Sequence, residues 1–91
     1  MSFNERIYSH LLDFFDVENT HDRKLLANKL SSAWKTRSCC DNFRICQSND
    51  DKIVTEEYKK LESNGCCGFF DEYIKNPITG NSYWIGFNYG H

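Results

Sequence analysis

Apolar and polar positions follow two periods along this chain, helical over most of the first two-thirds and alternating in the last third. Phe3, Ile7, Tyr8, Leu11, Leu12 and Phe15 recur at helical spacing, which predicts a first helix from about Phe3 to Asp16. Ser2-Phe3-Asn4-Glu5 has the form of a capping box at its start. The apolar stripe is wide, so this helix is expected to pack into a core. After Val17–Thr20, Leu25, Leu26, Leu30, Ala33 and Trp34 form a second helical stripe, with Asn19 or Thr20 as its cap and Asp22 in its first turn. The short connection predicts that the two helices are antiparallel neighbours.

Phe43–Gln47 then reads as a short strand, with Phe43 and Ile45 on one face and Arg44 and Cys46 on the other. Polar Ser48–Asp51 opens a third helix carrying Ile53, Val54, Tyr58 and Leu61, and Asn64-Gly65 is its stop signal. The last segment is a β-hairpin. Its strands run from Cys66 to Lys75 and from about Ser82 to Tyr89, around the turn Asn76-Pro77-Ile78-Thr79-Gly80-Asn81.

The pattern therefore predicts an α+β fold. An antiparallel helix pair, a short strand, a third helix and a C-terminal hairpin make a small antiparallel sheet, with helices against one face. Ninety-one residues form a single domain, 1–91. A domain of this size has little volume for an enclosed active site, which favours a non-enzymatic role.

Alternation assigns the two faces of the last strand. Tyr83, Ile85, Phe87 and Tyr89 share one face, read as the core side. Ser82, Trp84, Gly86 and Asn88 share the other, where the indole is expected to stand exposed among small or polar neighbours. Gly86 also suggests a bulge or a close backbone approach. On this reading Trp84, Tyr89, Asn88, His91 and Tyr83 form a partner-binding surface, since Tyr and Trp dominate interface hot spots. Trp84→Ala should then spare the fold, whereas Phe87→Ala should damage it.

The net charge of -2 hides a segregation. Arg23, Lys24, Lys29, Lys35, Arg37 and Arg44 sit in a basic middle stretch whose only acid is Asp41, and both flanks are acidic. That stretch, 23–44, supports an alternative reading as a nucleic-acid-binding module. It lacks the density of most nucleic-acid footprints and lies away from the aromatic strands, which argues against a stacking platform.

The five cysteines come as Cys39-Cys40, Cys46 and Cys66-Cys67. Adjacent side chains on a strand diverge, so each pair can offer one metal ligand. A second alternative is a metal site built from Cys39, Cys46, Cys66 and His91, although zinc modules space their cysteine pairs by two to four residues. Free cysteines otherwise serve as small core residues. No cofactor is expected. Asp71 and Glu72 are adjacent on a strand and point apart, so they do not make a nuclease metal site. His10, His21 and His91 show no catalytic spacing with any nucleophile.

The N-terminus has no apolar signal region and no segment is long enough to span a membrane, so the expected location is the cytoplasm, with reduced thiols. Frequent Asn, Lys and Ile suggest an AT-rich genome, compatible with a bacteriophage. The function expected from these observations is a small regulator or inhibitor that sequesters a host protein through its aromatic hairpin.

Overall fold

Among the described residues, three helices and three strands follow the order the sequence predicts. The computed structural model describes residues 3–37, 39–64 and 68–90, with the side chains of Cys39 and Asn64 left out. The elements are α1 (Phe3–Phe14), α2 (Thr20–Lys35), β1 (Cys39–Gln47), α3 (Asp51–Asn64), β2 (Gly68–Lys75) and β3 (Ser82–Gly90). The strands form one antiparallel sheet in the order β1-β3-β2, so the aromatic last strand is central. This is a small α+β domain. No helix among the described residues is long and apolar enough to cross a membrane.

Local chemistry explains the helix ends. α1 stops two residues before its predicted end, at Phe14, because Asp16 adopts a left-handed backbone with φ 58°. Val17 N donates to Leu12 O at 2.9 Å and Asp16 N to Asp13 O at 3.1 Å, the paired bonds of a Schellman cap. The hydrophobic contact of that motif is present too, since Val17 and Leu12 are both buried in one core cluster. The capping box predicted at Ser2 lies outside the described residues. Asn19 is the cap of α2, its Oδ1 accepting from His21 N and Asp22 N. Asp50 does the same for α3 through Lys52 N and Ile53 N.

β1 is longer than its predicted core of Phe43–Gln47 because a bulge interrupts its alternation. Asp41 pairs with Asn88 and Arg44 with Gly86, so Asn42 and Phe43 together oppose Phe87. Asn42 takes a left-handed φ of 55°, which Asn tolerates better than most residues. Phe43 and Ile45 still face one side of the sheet, and Arg44 and Cys46 the other.

The second face of the sheet departs from its expected state. The helix pair covers the first face: Tyr8, Leu12, Val17, Leu26, Ala27 and Leu30 pack with Ile45, Ile74, Tyr83 and Ile85. α3 covers the second, where Val54 and Leu61 close over Trp84. The face read from sequence as partly open is therefore a second core. Trp84 is 0% exposed rather than partner-facing, and its Nε1 donates to Asp71 Oδ2 at 3.1 Å. Its small neighbours make room for the helix. A Cβ at Gly86 would collide with Leu61 Cδ1 and lie 2.8 Å from Trp84 Cη2. The close approach suggested by Gly86 is real, and its cause is α3.

Candidate partner-docking face

The hairpin residues expected to meet a partner are largely committed to the domain itself. Tyr83 is buried and donates its hydroxyl to Asp22 Oδ2 at 2.7 Å. Asn88 is buried, donates Nδ2 to Leu61 O at 2.9 Å and accepts from Asn42 Nδ2 at 2.8 Å. Tyr89 is half-buried, with the Arg37 guanidinium 5.0 Å over its ring. Together with the burial of Trp84, this overturns the exposed hairpin surface. Its fifth member, His91, lies outside the described residues.

The basic stretch is also mostly engaged. Arg23 pairs with Asp13 at 2.8 Å, Lys29 with Glu72 at 3.0 Å, and Arg44 Nε faces Glu57 Oε2 at 3.5 Å. Arg37 stacks on Phe70, Phe87 and Tyr89 and donates Nη1 to Ala33 O at 2.7 Å. Among the six, Lys24 and Lys35 are the exposed ones. Carboxylates thus neighbour Arg23, Lys29 and Arg44, and aromatic rings neighbour Arg37.

Of the predicted metal set, only the Cys46 side chain is described, since Cys66, His91 and the Cys39 side chain lie outside the described residues. Burial, reinforced by Glu57 and then Asp50, pushes the Cys46 thiol up to about 11, so it stays protonated at neutral pH. Among the described residues, no three His, Cys, Asp or Glu side chains converge as a metal site.

The most densely bonded polar cluster is structural. Asp22, 0% exposed in the first turn of α2, accepts four hydrogen bonds from side chains of the hairpin. Asn76 Nδ2 at 2.8 Å and Thr79 Oγ1 at 2.7 Å reach Oδ1, while Asn81 Nδ2 at 2.8 Å and Tyr83 at 2.7 Å reach Oδ2. Burial alone would raise its pKa, but the bonds from Tyr83, Asn81, Thr79 and Asn76 outweigh it and hold the carboxyl below its ordinary value. Burial first, and then the same carboxylate, push the Tyr83 hydroxyl up to about 12. This cluster clamps the hairpin turn to α2. The adjoining polar depression, lined by Gln47, Ser48, Asn49, Gly80, Asn81 and Ser82, presents amides and hydroxyls, which bond but do not exchange protons near neutral pH.

Of the eight large apolar side chains exposed among the described residues, three lie together on α1. Phe3, Ile7 and Phe14 are 74%, 55% and 77% exposed, and exposed His10 lies on the same stripe. At 100° per residue these four positions fall within about 60° of arc, opposite the buried Tyr8 and Leu12. Trp34 of α2 continues the surface at 39% exposed. Ile7, Tyr8, Ser31, Trp34 and Lys35 line a shallow groove of about 200 Å³ between the helices. Trp34 is held in place by stacking on Phe43 at 5.2 Å, and Phe43 meets Phe87 at 5.0 Å. The row of rings continues from Phe87 to Phe70 at 5.1 Å, so the exposed indole rests on the sheet.

The sequence contained a signal for this face that the predicted elements left unused. The wide apolar arc of α1 is two stripes: Tyr8, Leu12 and Phe15 turn inward, while Phe3, Ile7 and Phe14 turn out. A single buried stripe does not require the outer set.

No family model, curated protein or solved structure matches this chain.

Proposed function

We propose that the protein is a non-enzymatic binding protein whose partner, a polypeptide, docks on the α1/α2 face. The observation that carries this reading is the outward stripe Phe3, Ile7 and Phe14 beside a ring-supported Trp34. Isolated exposed apolar residues are ordinary, but aligned aromatic and aliphatic side chains, one of which (Ile7) lines a groove, mark an interaction surface. Trp34 has the character of an interface anchor: it is large, partly exposed and already ordered by stacking, so little freedom is lost when it is covered. The expected partner-binding role stays, and its surface moves from the hairpin to the helix pair.

Capture experiments with the purified protein test the reading. A partner held by the wild type should be lost with Ile7→Asp and with Phe14→Asp. It should be retained with Tyr73→Asp, which changes an exposed residue of β2. Loss only with Tyr73→Asp would place the interface on the sheet edge and refute this assignment.

A further inference from the structure

Resting on the docking-face reading, we infer that the partner is a second copy of this chain, joined through an antiparallel, two-fold packing of α1 on α1. The spacing of the outward stripe carries the inference. Phe3, Ile7, His10 and Phe14 are separated by four, three and four residues, the a/d spacing of a coiled-coil seam. It is also palindromic. In an antiparallel pair, Phe3 meets the second copy's Phe14 and Ile7 meets its His10, so each large ring faces a ring and the layers repeat under the two-fold axis.

Charge selects the orientation. Arg6 and Asp13 flank the seam on one side, in the two equivalent positions just before Ile7 and Phe14. Antiparallel packing brings the same flanks together, so Arg6 of each copy faces Asp13 of the other. Parallel packing would instead set Arg6 against the Asn4 and Leu11 flank and leave both charges without a cross-partner. Asp13 is 69% exposed in its side chain although it meets Arg23, so it can serve a second cation.

Area sets the strength. An aromatic side chain offers about 150–250 Å², so the stripe and Trp34 present roughly 400 Å² of apolar surface per copy. With its polar rim, the pair makes an interface of about 1,000 Å², the range of weak and reversible complexes. A seam this short would not hold free peptides together, but here each helix is already formed by its own domain. His10 is the one polar residue in the seam, and it weakens the layer it shares with Ile7.

Sedimentation velocity of the full chain, from about 1 to 500 μM, tests this against the weak-interface range. The wild type should pass from monomer to dimer across the series. Ile7→Asp should weaken dimerisation about tenfold or more, as for an interface anchor, and His10→Leu should tighten it by a similar factor by completing the apolar seam. A photo-reactive group at position 14, in a mix of isotopically light and heavy protein, should link one copy to residues 3–6 of the other. Links to the other copy's position 14 would overturn the antiparallel arrangement. A monomer at every concentration, with circular dichroism unchanged, would overturn self-association while leaving the face open to a different polypeptide. A dimer indifferent to both Ile7→Asp and His10→Leu would refute self-association through α1 and place the interface elsewhere.

Discussion

Tyr83, at the start of the central strand, donates its hydroxyl to Asp22, in the first turn of α2, across 61 residues of sequence at 2.7 Å. With Asn76, Thr79 and Asn81 on the same carboxylate, this bond fixes the hairpin turn against the helix pair. Asp22→Ala would strand four donors. It should destabilise the fold by about 3 kcal/mol or more, since each bond to a charged group contributes roughly 1.5–3 kcal/mol and the losses are not additive. Urea melts at neutral pH provide the check.

The same carboxylate predicts an acid limb of stability. Its pKa is lowered in the folded state from the ordinary 3.8. The unfolded chain therefore takes up a proton first as pH falls, and folding loses that contribution. The contribution is complete well above 3.8 and declines below it, down through the folded-state value. Asp22→Asn should be less stable than wild type at neutral pH, and the gap should narrow in acid. A gap independent of pH between neutrality and strong acid would remove the linkage.

Under α3, two substitutions should both damage the fold. Trp84→Ala removes a fully buried indole and should cost roughly 3–5 kcal/mol. Gly86→Ala drives a methyl group into Leu61 and Trp84 and should cost about 1–3 kcal/mol, the scale of overpacking. Thermal melts of the two variants decide this. A wild-type melting temperature in Trp84→Ala would mean that α3 does not cover the indole.

The strand parity of Trp84 was legible in the sequence, but its burial was not. Alternation reports which face a side chain takes, and it places Trp84 opposite Tyr83, Ile85 and Phe87. It does not report what lies over that face. The covering helix has few apolar residues, and two of them, Val54 and Leu61, suffice to cover the ring, with Gly86 leaving room for Leu61. The helix order and the hairpin turn were legible, and the α2 cap was narrowed to Asn19 or Thr20, because each rests on local chemistry. The Asp22 cluster was not, since its acceptors and donors come together only in the folded chain. The docking face was half legible: the width of the α1 stripe is visible, but which arc turns inward depends on where α2 packs.

Cys46 should resist thiol reagents in the native protein. It is half-buried, and burial with Glu57 and Asp50 nearby pushes its thiol up to about 11. Brief alkylation at neutral pH followed by peptide mass spectrometry should find Cys46 unmodified, and full labelling should require denaturant. Rapid native labelling would mean that the thiol is more open than its packing against the cluster of Trp84, Val54 and Leu61 implies.

Partner contact on the outward face of α1, rather than on the aromatic hairpin, is tested most directly by photo-crosslinking in the source cells. A photo-reactive phenylalanine analogue is placed at position 14 or, separately, at position 78, both exposed in the free protein. Polypeptide adducts concentrated at position 14, with position 78 silent, are the expected result. Adducts at position 78 with none at position 14 would contradict the account and return the interface to the hairpin end of the molecule.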